Sequence, residues 1–246
     1  MRDLARAAGR RMVSYGLGDG LDITAYDIVP RPFPCFGSDF SCRAFGQDLG
    51  RVSLPVPGRH NVVNALGCLG AGLTLGIDFA VLRSALATFP GVRRRMQFKG
   101  QAAGVAVFDD YGHHPTEIRA TLETAALMKD RRLVVVFQPH RYSRTKFLME
   151  DFVRSLAACD ELLVTDIYAA SEAEIAGVSA EVLCEKIARS GHPRVGYLPR
   201  AELVEHLREH CQEGDLVLTL GAGDIVRVGE ELVAALQQRE TPSLSN

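Results

Sequence analysis

The sequence predicts an α/β protein in two parts, the larger of which is a mainly parallel, doubly wound sheet. After residue 91 the chain alternates apolar strand-like runs with helical stretches, which is the pattern of right-handed βαβ crossovers. Before residue 91 it consists of short strand-like pieces followed by two helical stretches. The Pro90–Gly91 turn, followed by three arginines, indicates a domain boundary between the two parts.

The first part, residues 1–91, is β-rich and then helical. Its strand-like pieces alternate apolar and polar residues and are separated by turns rich in glycine and proline. They cover residues 12–16, 21–29, 40–45 and 51–56. Two helices are predicted to follow, from His60 to Leu75 and from Asp78 to about Thr88.

The second part, residues 92–246, alternates strand and helix throughout. Strands are predicted at 105–110, 132–138, 161–167, 194–198 and 215–221. Helices are predicted at 115–129, 145–158, 180–189, 200–211 and 224–237, with a disordered tail from about 239. Because parallel strands end at a common edge, the polar segments after the first two strands are expected to share one crevice.

Composition narrows the possible functions. The 246 residues are 47% hydrophobic and 24% charged with a net charge of −2, so neither a nucleic acid nor a membrane is an expected partner. No stretch reaches the roughly 18 apolar residues of a membrane-spanning helix, and we expect a cytoplasmic protein. The six cysteines form no CxxC pair, which favours reduced thiols over disulfides or zinc.

Two polar clusters precede the first strand of the larger part. In "GRHNVVNA", Asn61 and Asn64 lie on one helix face, where two carboxamides can bind the edge of a base such as adenine. The alternative is that Asn61 caps the helix. The triplet Arg93 to Arg95 can bind a phosphate through at least one guanidinium, or it can be a solvated turn.

The segment "DDYGHHPTE" follows the predicted strand 105–110. Asp110 at the strand end can bind a ribose diol, while Tyr111 and His113 can stack on a base. Alternatively, Asp110 orders the loop and the histidines pack. His114 precedes a proline and is expected to be extended. A metal site using His113 and His114 is disfavoured, because adjacent histidines commonly point apart, and no metal site is predicted.

The segment "FQPHRYSRT" ends the strand at 132–138 and brings three basic side chains together. His140, Arg141 and Arg144 can clamp a small carboxylate, since the planar fork of arginine matches two carboxylate oxygens. The alternative is that these arginines pair with acidic residues of their own chain. The later segment "TLGAGDI" is an incomplete dinucleotide fingerprint, and a tight turn that packs strand against helix is the favoured interpretation.

Taken in order, "GRHNVVNA", "GVRRRMQF", "DDYGHHPTE", "FQPHRYSRT", "DIYAASE" and "GAGDI" resemble the C-terminal half of the Mur ligases, which build peptidoglycan precursors. The resemblance covers roughly residues 10–238. The two long motifs are most similar to the members that join L-alanine to UDP-N-acetylmuramate. The alternative within the family is the recycling ligase that attaches a tripeptide.

The resemblance implies a Rossmann-like C-terminal domain, preceded by part of a central ATP-binding domain. It also implies an ATP- and Mg²⁺-dependent reaction, in which a phosphorylated muramoyl carboxylate is attacked by the amine of L-alanine. Arg95 and His140 would then be catalytic, and His140, Arg141 and Arg144 would hold the L-alanine carboxylate. The residues implied to bind the nucleotide are Asn61, Asn64, Arg95, Asp110, Tyr111 and His113.

The sequence also departs from the family pattern. Met96 stands where the family tends to have an aromatic residue, and neither GxxGKT nor GxxGKS occurs. No acidic Mg²⁺ ligand of the central domain and no UDP-sugar domain is visible. We therefore expect residues 1–91 to be a remnant of the central domain, and the chain to be truncated and inactive alone. A separate chain that supplies the missing N-terminal half is then a candidate partner, beside the small-molecule substrates. A non-catalytic nucleotide-binding module and a metal-dependent hydrolase are the competing functions.

Overall fold

The structure is a computed structural model that describes residues 7–9, 12–128 and 131–240. It divides the chain into two compact units, Met1–Gly91 and Val92–Asn246. Three predictions fall outside the described residues: the charged start of the chain, the end of a helix at Lys129 and the polar tail beyond residue 240. The interpretation of the first unit as the remnant of an ATP-binding domain stays a prediction.

The first unit is a four-stranded sheet covered by two helices. Strands β1 to β4 lie side by side in chain order, β1 parallel to β2 and the others antiparallel. They are β1 Tyr15–Gly16, β2 Ile23–Arg31, β3 Gly37–Ala44 and β4 Gln47–Leu54. Helices α1, Arg59–Thr74, and α2, Phe79–Ala87, follow as predicted.

The burial pattern explains these elements. Phe40, Cys42 and Ala44 alternate inward along β3. Helix α1 buries apolar residues at helical spacing, among them Val62, Ala65, Leu66 and Leu69. A separate hydrophobic core joins this helix face to the sheet.

The second unit is a six-stranded sheet in the order β5-β6-β10-β7-β8-β9. All neighbours are parallel except β5, which is antiparallel to β6. The strands are β5 Gln97–Ala102, β6 Val105–Asp110, β7 Leu133–Phe137, β8 Glu161–Val164, β9 Val195–Tyr197 and β10 Leu216–Leu220. The helices are α3 Pro115–Ala125, α4 Tyr142–Phe147, α5 Met149–Ser155, α6 Ala180–Arg189, α7 Leu203–His210 and α8 Val226–Glu240.

The mainly parallel sheet is confirmed, with two differences in its elements. Strand β5 was not predicted, because it is a partly exposed edge strand interrupted by Gly100. The helix predicted at 145–158 is two short helices, α4 and α5, which meet at Leu148.

The order of the central strands also differs from what chain order suggests. Strands β6 and β7 are parallel and end at the same edge, but β10 lies between them and pairs with both. All three are buried along their whole length, as expected for a sheet covered on both faces. In the part of the chain that the structure describes, no helix combines the length and apolar character needed to cross a membrane.

Candidate functional site

The turns after β6, β10 and β7 meet at the carboxyl edge of the sheet. In the register of the strands, Leu220 of β10 is level with Asp110 of β6 and Phe137 of β7. Beyond this level, the Gly221 amide donates to the Asp110 carbonyl at 3.0 Å. The Gln138 amide donates to the Leu220 carbonyl at 2.9 Å. The polar segments that follow the three strands are therefore fixed side by side.

Arg94 ties two of these turns together. Its Nε donates to Asp109 Oδ2 at 2.9 Å, while Nη2 and Nη1 donate to the carbonyls of Gly221 at 2.6 Å and Gly223 at 3.2 Å. The Asp109 side chain is fully buried and also accepts from Thr219 Oγ1 at 2.8 Å. All of these partners belong to the protein itself, so Arg94 is a structural residue.

Arg95, the residue predicted to bind phosphate, is more open. Its side chain is 43% exposed, 3.3 Å from a carboxylate oxygen of Glu117 and 3.9 Å from one of Asp110. Its guanidinium lies 5.9 Å from the centre of the exposed Tyr111 ring. An anion can reach Arg95 without entering the core.

Asp110 is buried, and its carboxylate is used by its own chain. Oδ1 accepts from the Gly112 amide at 2.7 Å, and Oδ2 accepts from the Met96 amide at 2.8 Å. Burial raises the pKa of the Asp110 carboxyl, although these donors and Arg95 oppose the rise. This geometry favours the loop-ordering alternative, and ribose binding by Asp110 stays a prediction.

Glu117 is a site residue that sequence reasoning missed. It accepts from the amides of His113 at 3.1 Å and His114 at 3.3 Å, and it pairs with Arg95. Burial opposes its ionisation, but the His113 amide and Arg95 outweigh this, and the pKa of Glu117 is lowered. The available signal was the capping box, a Glu three residues after the extended N-cap His114.

Four aromatic side chains form a continuous row along the edge. The ring centroids are 5.3 Å apart for Tyr111 and His113, 5.7 Å for His113 and His140, and 5.5 Å for His140 and Tyr168. The last pair is stacked, with 15° between the planes. We call Tyr111, His113, His140 and Tyr168 the aromatic row. It brings the two long sequence motifs together across the intervening β10.

His140 is held by Arg144, four residues later. Arg144 Nη1 lies 3.1 Å from His140 Nδ1 and donates to the His140 carbonyl at 3.3 Å. A guanidinium can only donate, so Nδ1 accepts and neutral His140 carries its proton on Nε2. Burial and then Arg144 lower the pKa of His140. At neutral pH His140 is therefore an uncharged N–H donor.

We expect an NMR titration of His140 to give a pKa below the usual 6.5, and Arg144→Ala to raise it. The variant removes both a nearby positive charge and a donor that stabilises the neutral ring. Because the folded pKa is lowered, His140 favours the folded state fully above pH 6.5, and this contribution is lost as pH falls through the folded pKa. A wild-type value at or above 6.5 would contradict the lowered pKa of His140 and, with it, the assignment of His140 as an uncharged donor.

We call His140, Arg141 and Arg144 the clamp. Its two arginines have different surroundings. Arg141 Nη1 lies 3.4 Å from Glu172 Oε1, so the alternative of pairing within the chain holds for Arg141. Arg144 has no acidic partner within 4.0 Å among the described residues. Arg144 is thus the cation of the clamp whose charge is not compensated there.

The clamp is framed by the segment "DIYAASE", residues 166–172, to which no separate role was assigned. The Arg141 amide donates to the Tyr168 carbonyl, and the Tyr168 amide donates to the Pro139 carbonyl, both at 2.8 Å. These bonds continue the parallel pairing of β7 and β8 beyond the strands. Tyr168 is consequently placed flat against His140.

The "GAGDI" segment forms a tight turn between β10 and α8. A Cβ atom on Gly223 would collide with the Gln138 side chain and with the Tyr168 ring. Gln138 in turn donates to Asp224 Oδ1 at 2.8 Å and accepts from the Ile225 amide at 3.2 Å. This is the strand-to-helix turn that the sequence favours over a dinucleotide fingerprint.

Asn61 and Asn64 lie on helix α1 of the first unit. The N-cap of this helix is Gly58, so the alternative that Asn61 caps it is wrong. Asn61 Nδ2 donates to the Pro57 carbonyl at 2.7 Å, and Asn64 Nδ2 donates to Asn61 Oδ1 at 3.5 Å. The two carboxamides share one helix face, and adenine binding stays a prediction.

The class of protein follows from the sheet and its edge. An α/β domain with a mainly parallel sheet is of the Rossmann-like class, in which ligands bind at the carboxyl ends of the strands, and here cations and exposed rings lie at those ends. Residues 94–223 match the family model described as Mur ligase, glutamate ligase domain. The chain belongs to the Mur ligase family, as the motifs predicted.

Three relatives show which kinds of Mur ligase this chain is similar to. The UDP-N-acetylmuramate–L-alanine ligase of Desulfosudis oleivorans is 48% identical over 231 residues, 93% of this chain and 50% of that protein. The solved UDP-N-acetylmuramate-alanine ligase of Thermotoga maritima has a TM-score of 0.76 at 28% identity, covering 92% of this chain and 48% of that one. The murein peptide ligase of Psychrobacter arcticus has a TM-score of 0.62 at 25% identity, covering 91% and 46%. This chain spans about half the length of each.

Proposed function

We propose that this chain carries the amino-acid-binding part of an ATP-dependent ligase that joins L-alanine to UDP-N-acetylmuramate in peptidoglycan precursor synthesis. The observation that carries the proposal is the guanidinium of Arg144, which has no acidic partner among the described residues and lies beside the neutral His140 at the edge of the sheet. Such a pair offers donors to one small carboxylate. The similarity to alanine-adding ligases supports L-alanine as the owner of that carboxylate.

Each clamp residue then has a definite task. Arg144 and the Nε2–H of His140 donate to the carboxylate of L-alanine, while Arg141 supports them from its ion pair with Glu172. With the carboxylate fixed, the amine is oriented toward the acyl group that it attacks. Because His140 Nε2 carries the proton, His140 acts here as a donor and not as a base.

Arg95 and Tyr111 are proposed to face ATP. The open guanidinium of Arg95 fits a terminal phosphate, and the 38% exposed ring of Tyr111 fits the flat surface of a base. His113, whose ring lies 5.3 Å from that of Tyr111, is assigned to the adenine surroundings. ATP supplies the phosphoryl group that makes the muramoyl carboxylate an acyl donor.

Mg²⁺ has no matching site among the residues that the structure describes. No group of three or more His, Cys, Asp or Glu side chains there is arranged to hold a metal ion. The carboxylates nearest to Arg95 are engaged by backbone amides and by Arg95 itself. We therefore assign no step of this chain to Mg²⁺.

The tripeptide-adding recycling ligase is the second candidate. The observation that favours this candidate is the structural resemblance of the chain to a murein peptide ligase, with a TM-score of 0.62. Both candidates need a carboxylate clamp, but a tripeptide requires contacts beyond it. Substrate competition separates them, because only an alanine-adding enzyme uses the free amino acid.

The proposal is tested with a fusion enzyme. This chain is joined in frame to the N-terminal half of the Desulfosudis oleivorans ligase, and phosphate release is measured with ATP, UDP-N-acetylmuramate and L-alanine. The 246 residues contain no GxxGK[ST] phosphate loop, so we expect turnover by the fusion and none by the chain alone. The rate difference is expected to be far above 10³-fold, since several charge-stabilising groups are supplied together.

Two results would contradict the proposal. A correctly folded fusion that uses a tripeptide but not L-alanine would favour the second candidate. Substrate-dependent turnover by the 246-residue chain alone would show that its own residues replace the phosphate loop. The same join made with the native C-terminal half of the Desulfosudis ligase is the control for the fusion site.

A further inference from the structure

The clamp is accompanied by an acidic residue that carboxylate binding does not require. Glu172 Oε2 accepts from the Ser143 amide at 2.9 Å, and Oε1 accepts from Ser143 Oγ at 2.7 Å. Oε1 also lies 3.4 Å from Arg141 Nη1. One carboxylate thus fixes both the start of helix α4 and a guanidinium of the clamp.

The backbone is strained where it delivers Glu172. Ala170 and Ser171, the two residues before it, have φ values of 48° and 69°. Residues other than glycine seldom adopt this left-handed region, and such strain persists only where the surroundings impose it. The loop is held by the bond from the Glu172 amide to the Ala169 carbonyl, at 3.0 Å, and by the contacts of the Glu172 carboxylate with Ser143 and Arg141. The strained loop thus delivers Glu172 to the start of helix α4.

Glu172 also determines the charge of the clamp. Hydrogen bonds from the Ser143 amide and hydroxyl, followed by Arg141, lower the pKa of Glu172, which keeps it ionised. Arg141 and Arg144 contribute two positive charges, His140 is neutral, and Glu172 removes one. The clamp and Glu172 together carry a single positive charge, which one carboxylate neutralises.

We propose, building on the function proposed above, that Glu172 is a positioning and specificity-determining residue. It holds Arg141 in place and makes the clamp select amino acids with one carboxylate over those with two. A second carboxylate finds Arg141 already paired and meets the negative charge of Glu172. Repulsion between two like charges in a partly solvated site is expected to weaken binding on the order of ten-fold.

The experiment follows the arginine side-chain Nε–H signals of the full 246-residue chain by NMR. L-alanine, L-aspartate and L-asparagine are titrated at constant ionic strength and pH 7. L-asparagine has nearly the shape of L-aspartate without the second charge. In the wild-type chain, L-alanine is expected to shift the Arg144 signal, and L-aspartate to bind about ten-fold more weakly than L-asparagine.

Three variants separate charge from geometry. Glu172→Gln is expected to remove the difference between L-aspartate and L-asparagine and to shift the Arg141 signal. Glu174→Gln is the matched control, because Glu174 lies two residues after Glu172 and carries the same charge. The Glu174 carboxylate makes only a weak hydrogen bond, from the Tyr142 hydroxyl at 3.5 Å. Ser143→Ala removes one bond to Glu172 but keeps its charge, so the difference is expected to remain.

The outcomes distinguish the two proposals. If L-alanine binds through Arg144 but Glu172→Gln discriminates as the wild type does, only the role of Glu172 is overturned. If L-alanine leaves the Arg144 and His140 signals unchanged, the proposed function falls and the role of Glu172 falls with it. Glu172→Asp keeps the charge on a shorter side chain. If Glu172→Gln does not fold, loss of the difference in Glu172→Asp would overturn the charge effect.

Discussion

Replacing Arg144 by alanine in the fusion enzyme is expected to raise the KM for L-alanine by about 30- to 150-fold. The variant removes the guanidinium whose charge has no acidic partner among the described residues and which also orients His140. A hydrogen bond to a charged group at a partly exposed site contributes about 2–3 kcal/mol, and each 1.4 kcal/mol is ten-fold. The KM for ATP is expected to change little, because Arg144 lies in the carboxylate clamp.

Arg154→Ala is the matched control for this change. This variant also removes an arginine, ten residues after Arg144 in the sequence. The Arg154 side chain, however, is 65% exposed, and it pairs with Asp151 on its own short helix. We expect unchanged kinetics for this variant. An Arg144→Ala enzyme whose KM for L-alanine stays within two-fold of the wild type would refute the carboxylate clamp. A fall in kcat alone, with unchanged KM, would place Arg144 in the chemical step.

The second large effect is on stability. Arg94→Ala is expected to lower the free energy of unfolding of the second unit by about 3–5 kcal/mol, because breaking a buried ion pair leaves an uncompensated buried charge. That charge is the carboxylate of Asp109, which is fully buried. The carbonyls of Gly221 and Gly223 also lose their donor. Native-state hydrogen exchange of the β6 and β10 amides measures the loss in this unit by itself.

The neighbouring arginine provides the control. Arg95 is 43% exposed, and its contacts with Glu117 and Asp110 are at 3.3 and 3.9 Å, so Arg95→Ala is expected to cost about 0–1 kcal/mol. The double variant Arg94→Ala with Asp109→Asn is expected to regain part of the lost stability, because the buried charge is then absent. Equal effects of the two single arginine variants would show that Arg94 does not hold the turns.

The candidate site was predictable where it is local in sequence. His140 and Arg144 are four residues apart, so their proximity follows from one short segment. Asp110, Tyr111 and His113 were placed at the same sheet edge because parallel strands end together. What could not be predicted is the partner of each charge. Arg141 meets Glu172 after a separation of 31 residues, and Arg94 reaches Gly221 after 127.

The sequence also could not show which side chains of one polar cluster are buried and which are exposed. Arg94 and Arg95 are adjacent and chemically identical, yet one completes a buried network and the other faces solvent. Asp110 follows its strand as a binding residue would, but its oxygens are taken by the Met96 and Gly112 amides. Side-chain direction at a turn depends on backbone angles that the residue types do not specify. Arg94, for example, has a φ of 59°.

The sequence by itself determined most of the elements, since their signals are local, although it missed β5 and the division of one helix into α4 and α5. Strand β6 at 105–110 and helix α6 at 180–189 were predicted residue for residue, from the regular alternation of apolar strand-like runs with helical stretches. Only the tertiary structure decided that β10, from the end of the chain, lies between β6 and β7. Strand order is set by which apolar faces and backbone donors fit across long separations, and no single segment contains that information. The position of β10 also brings the "GAGDI" turn against Gln138 and Tyr168. Tyr168, the last ring of the aromatic row, therefore packs against a turn from the end of the chain.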